Sequence, residues 1–135
     1  MSAVLVRQAL ETALATMSPA LSTAFENVAF TPANGVPYQQ VNLLFAEPDN
    51  PEMSNGYTER GIFQITLRYP LNGGPALASA RAQLIRTHFY RGRSFTASGV
   101  SVSIERTPEI GSGRTEDDRF VIPVRVRFYS HIPRS

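Results

Sequence analysis

Apolar residues in this chain recur at two different periods, and the order of those periods restricts the fold more than any other feature. From Ala3 to Met17 there is no Gly or Pro, and Val6, Leu10, Ala13, Leu14 and Met17 fall on one helical stripe. Arg7, Gln8, Glu11 and Thr12 take the other side. Ser2 is placed to cap this helix, and Ser18-Pro19 to stop it. The period then changes to two. Phe25 to Thr31 reads as a strand, the turn-rich stretch Pro32 to Pro37 follows, and Tyr38 to Phe45 reads as its hairpin partner. Ala46 to Gly61 is polar and irregular, so it reads as a long loop.

Ile62 to Tyr69 is a half-buried strand, with Phe63, Ile65, Leu67 and Tyr69 alternating with Gln64, Thr66 and Arg68. Pro70 and Asn72-Gly73-Gly74-Pro75 end it. A second helix spans about Ala76 to Tyr90, with Ala78, Ala82, Ile85 and Phe89 on its apolar stripe and Leu77 and Leu84 flanking. Val100 to Glu105 and Phe120 to Tyr129 alternate again, separated by the polar stretch TPEIGSGRTEDDR. Pro123 cannot donate a ladder hydrogen bond, which predicts an edge or a bulge for the last strand. The expected fold is therefore α+β, in the order α-β-β-β-α-β-β. The sheet should be mostly antiparallel or mixed, with both helices on one face. The other face should show Thr66, Arg68, Glu105, Arg125 and Arg127. At 135 residues the chain is expected to be one domain, residues 1–135.

Composition excludes several chemistries. Cysteine is absent, which removes disulfides, thiolate catalysis and cysteine-based zinc sites. The two histidines, His88 and His131, lie far apart, and no H-E-x-x-H pattern occurs. No transition metal or other cofactor is expected, and His88 reads as a helix-end or interface residue. No apolar run approaches a membrane span, and Arg7 and Glu11 interrupt what would be the core of a signal peptide. A soluble protein made in the cytoplasm is the expectation. Every basic side chain is Arg, so a net charge of only +2 gives a pI of about 9.4 without a strongly basic surface.

Three groups of residues could carry function. Acids cluster at Glu47, Asp49 and Glu52, and again at Glu116, Asp117 and Asp118. They could hold a divalent cation, but their spacing matches no EF-hand, and they suit a solvated loop or inter-subunit salt bridges better. Gly111-Ser112-Gly113-Arg114 is a loose likeness of a phosphate loop, but it lacks the Lys-Ser/Thr ending and is followed by acids. Arg86, Arg91 and Arg93, with Tyr90 between them, could meet nucleic acid or complement the negative end of the second helix. No G-x-S-x-G elbow is present. The long loops combine acids and arginines with single large apolar residues, which suits subunit contacts. Met53, Tyr57, Arg60, Arg114 and Arg119 join the acids as candidates for a subunit interface.

The stretch from Gly61 to Pro70 is followed by Gly73-Gly74 and a helix with Ala78, Ala80 and Ala82 that closes on Phe89 and Gly92. With the N-terminal amphipathic helix and the Ile122-Pro123-Val124 strand, this resembles the small tail terminator proteins of long-tailed bacteriophages and prophages. The resemblance implies an α+β subunit with no catalytic residue. Such subunits form a ring, typically a hexamer, on the completed tail tube at the head-proximal end. The implied partners are other copies of the chain, the major tail tube protein and the head-tail connector or neck protein. DNA would pass through the hole without sequence-specific binding, with Arg86, Arg91 and Arg93 as possible channel lining. Within the same class stands another neck or completion protein. Outside it stand a small enzyme and a nucleic-acid-binding module.

Overall fold

The computed structural model describes residues 2–17, 21–26, 28, 30–31, 35–46, 57–71, 73–116 and 119–132. Its elements in chain order are α1 (Ser2–Ala15), β1 (Ser22–Ala24), β2 (Tyr38–Phe45), β3 (Tyr57–Pro70), α2 (Ala76–His88), β4 (Ser94–Ala97), β5 (Val100–Ile104), β6 (Glu109–Ile110), β7 (Arg114–Glu116) and β8 (Arg119–Ile132). Two helices and a mixed eight-stranded sheet make the fold α+β, as the two periods require.

The strands run in the order β1-β2-β3-β8-β5-β4, with β6 and β7 also on β8. β3 and β8 form the spine, antiparallel from Tyr57↔Ile132 to Pro70↔Arg119. Register places Leu43, Phe63 and Val126 side by side across three strands, and Val41, Ile65 and Val124 in the next row. All six point to one face and are buried. Val6, Leu10 and Leu14 of α1 and Ala78, Ala82 and Ile85 of α2 join them in one core cluster with Phe89 and Phe128.

Several sequence expectations need correction. None of the described residues from Phe25 to Thr31 is in the first strand; Ser22–Ala24 form it, and they run parallel to β2 rather than as its hairpin. The reason lies in Glu26. Its Oε1 accepts the Leu43 N–H at 2.6 Å and Arg7 Nη1 at 2.9 Å, so past Ala24 a carboxylate occupies the β2 edge. The two pairings together hold Glu26 below the usual carboxylate range despite the opposing effect of burial. β3 begins at Tyr57, not Ile62, because β8 extends far enough to pair its first five residues. β4 was not legible as a strand. It pairs with β5 across Ser98-Gly99, both at positive φ (47° and 85°), which is the tight-hairpin geometry.

The last strand is central, not an edge. β3 flanks it on one side and β5, β6 and β7 on the other. Pro123 is tolerated because its ladder is interrupted there. β6 ends opposite Val124, β7 begins opposite Val121, and the intervening Gly111 N–H donates to the Pro123 carbonyl at 2.8 Å. The absent N–H therefore falls in a gap of the partner strand. On the face away from the core lie Arg68, Arg125 and Arg127, as alternation predicts, but Thr66 is buried there opposite Pro123.

Candidate functional site

The side chains of the outer sheet face mostly satisfy one another. Arg68 donates to Gln40 Oε1 and to Glu116 Oε1, both at 3.0 Å, and Arg114 takes the second Glu116 oxygen at 2.8 Å. The Arg114 and Arg68 hydrogen bonds keep Glu116 below the usual carboxylate range. Arg60 pairs with Glu105 at 3.3 Å and lies over the Tyr129 ring at 5.9 Å. Such half-exposed pairs contribute little stability, but they fix which arginines remain open to a partner.

The sequence-derived interface candidates are scattered by the fold. Glu47, Asp49, Glu52, Met53, Asp117 and Asp118 lie outside the described residues. Tyr57 opens β3 opposite Ile132, and Arg60 sits near the same end of the outer face. Arg114 is exposed on β7. Arg119 is only 6% exposed; it donates to the Val36 carbonyl and stacks over Tyr38 at 5.0 Å, so it ties the start of β8 to the start of β2.

Arg86, Arg91 and Arg93 also part company. Arg86 Nε donates to the Pro108 carbonyl at 3.1 Å. Arg93 donates to the His88 carbonyl at 2.8 Å and stacks on Phe95 at 4.8 Å, completing the C-terminal end of α2. Arg91 is exposed and shares an open cleft with Glu105, Arg106 and Thr107. Arg106 was not among the sequence candidates; only the fold brings it beside Arg91. Among the described residues no group of three or more His, Asp or Glu side chains is placed to hold a metal. Also among them, no helix is long and apolar enough to cross a membrane.

His88 joins the two helices. Its Nε2 donates to the Ala13 carbonyl at 2.8 Å, and its Nδ1 lies 3.4 Å from Arg93 Nη1, which requires the neutral ring. Burial holds it below the ordinary 6.5, and Arg93 and Arg81 act in the same direction, against the Ala13 hydrogen bond. The unfolded chain therefore binds this proton more readily than the folded one. Stability is complete above pH 6.5 and declines as pH falls from there toward the lower folded value. Urea titrations between pH 8 and 5 are expected to show this decline in the native chain and its loss in His88→Gln. Equal slopes in both would remove His88 from the account.

Two apolar surfaces stand out, and neither was singled out in the sequence. The outward side of α2 carries Leu77, Ala80 and Leu84, with Leu77 69% and Leu84 43% exposed. Their i, i+3, i+7 spacing was visible as a second stripe beside Ala78, Ala82 and Ile85. The second surface is a groove of about 310 Å³ at the end of the β2–β3 pair, lined by Leu44, Phe45, Ala46, Gly61 and Ile62 together with Arg60, Glu105 and Arg127. Exposed leucines singly are ordinary; two contiguous apolar surfaces on so small a chain indicate contact with other proteins. The arrangement offers packing surfaces and paired charges, which suit assembly.

Residues 5–128 match the family model described as phage tail terminator protein. No curated protein matches the chain. Four chains among solved structures do. One of them is 24% identical and superposes with a TM-score of 0.77, covering 100% of this chain and 99% of its own. At that identity the likeness is one of fold.

Proposed function

The chain belongs to the phage tail terminator family, and from that premise we propose that it caps the completed tail tube as a ring, hexameric as in the resemblance above. Membership itself makes the protein a structural component of a phage tail and implies dealings with tail and head components. The proposal adds the finer steps. The ring stops addition of tube protein, and its other side offers the surface that the head connector joins. DNA passes through its centre without sequence-specific contact, and Arg91, the exposed member of its group, is the first candidate for the channel wall. The acids Glu47, Asp49 and Glu52 remain candidates for contacts between subunits or with the tube. Assembly takes place in the host cytoplasm.

The observation that carries this reading is the family match across nearly the whole chain. The apolar surfaces on α2 and at the β2–β3 groove support it, because a cap must grip its neighbours and a tube end through extended surfaces rather than through a catalytic cleft.

Deleting the gene from the phage or prophage that encodes it is expected to give overlong tails of broad length distribution, measured by negative-stain electron microscopy. Expression in trans should restore the uniform length. Tails of normal length that fail to join heads would instead identify a neck protein and overturn the terminator reading.

A further inference from the structure

The two apolar surfaces face opposite ways. α2 packs its Ala78, Ala82 and Ile85 onto the core face of the sheet, so Leu77, Ala80 and Leu84 point away from the sheet on that side. Leu44 and Ile62 lie on the opposite face, by the alternation that puts Leu43 and Phe63 inside. One subunit therefore cannot bring its own helix surface into its own groove.

The surfaces also match in character. The exposed positions of α2 from Ala76 to Leu84 are Ala, Leu, Ser, Ala, Gln and Leu, with no charge; Arg81 is turned inward and buried. A nucleic acid or a charged peptide would find nothing to pair with on this face from Ala76 to Leu84. The groove is lined by Leu44, Phe45, Ala46 and Ile62, and two of its three charges, Arg60 and Glu105, are already paired with each other. A convex uncharged helix thus has its counterpart in a concave apolar groove of the same chain.

We infer that the α2 surface of one subunit docks into the β2–β3 groove of the next copy, as the repeating head-to-tail contact of the ring. Different patches meeting on successive subunits generate a ring when the rotation closes. This inference rests on the ring proposed above and names the surfaces that form it.

Two variants of the full chain test it: Leu77→Glu/Leu84→Glu on the helix, and Leu44→Glu/Ile62→Thr in the groove. Circular dichroism and thermal melting establish that each is folded. Sedimentation velocity over a concentration series then reads assembly. Each variant alone should need a concentration about thirty-fold higher or more than the native chain to form rings, the effect of losing a central contact. The decisive measurement is the equimolar mixture. Each variant retains the surface the other lacks, so the mixture should give dimers of one copy of each and nothing larger, where either alone is monomeric.

Native rings that persist in both variants would overturn the surfaces and leave the ring standing. Rings lost in one variant only, or a mixture without dimers, would overturn the pairing of these two surfaces. A native chain that forms no ring, free or on isolated tail tubes, would overturn the ring and this contact with it.

Discussion

Phe63→Ala is expected to destabilise the subunit by about 3–5 kcal/mol, the cost of deleting a large ring from a core that cannot collapse around the void. The site cannot collapse because it is held from all sides. Phe63 is fully buried in the middle of β3, with Leu43 on β2 and Val126 on β8 directly beside it. The Phe89 ring at the end of α2 lies 6.1 Å away, centroid to centroid. β3 itself is laddered on both sides, by β2 and by β8, so it cannot shift to fill the void without breaking hydrogen bonds. Against a total stability of about 5–15 kcal/mol, such a loss leaves a substantial unfolded fraction at growth temperature. Chemical denaturation of the native chain and variant would measure it. A change below about 1 kcal/mol would mean that the core row is wrongly described, since even methylene deletions cost that much in a packed interior.

Gly61→Ala should be the most damaging single-methyl addition. A Cβ at Gly61 would stand 2.2 Å from the Leu44 carbonyl oxygen and 2.8 Å from Cζ of Phe128. The first obstacle is backbone within the β2–β3 ladder, and the second is a buried ring seated against Phe45, 6.0 Å away edge-on. Relief requires β2 to separate from β3 at Phe45↔Gly61, the last pair of their ladder. Overpacking of this kind costs about 1–3 kcal/mol, and the backbone obstacle puts this site at the upper end. The melting temperature should fall by about 10 °C. Gly73→Ala, whose nearest neighbour would be the Pro70 carbonyl at 3.8 Å, serves as the control and should change little. Similar melting of both variants would show that β2 can yield at Leu44.

What the sequence revealed and what it hid follow from the range of the interactions involved. Helices and the strongest strands are legible because a single period states both the element and its buried face: β2 reads as Tyr38 to Phe45, as observed, and α2 as Ala76 to about Tyr90, just past its observed end at His88. The centre of the sheet was hidden. Pro123 argues for an edge only if its partner strand is continuous, and the gap at Gly111 to Gly113 is a property of a different segment. The parallel pairing of β1 was hidden for the same reason, since it depends on Glu26 reaching Leu43 across the fold. For the candidate site, charge was a misleading guide. Arg119 and Arg93 are spoken for inside the subunit by the Val36 and His88 carbonyls. The apolar pair Leu77 and Leu84 flanked a stripe that already accounted for the helix, so periodicity gave no reason to ask what a second stripe was for.

The central position of β8 also has a consequence in time. It follows every other described strand in chain order, yet β3, β5, β6 and β7 all pair with it, β6 and β7 with no other described strand. Until it emerges during synthesis, one side of β3 has no partner, and the β1–β2–β3 piece lacks the β8 residues that close its core. The sheet therefore closes in a late step that joins segments distant in sequence, and such long-range pairing is slow. A subunit that completes its sheet only once β8 has been made offers no finished assembly surface to its neighbours beforehand. Order of synthesis thereby separates folding from association.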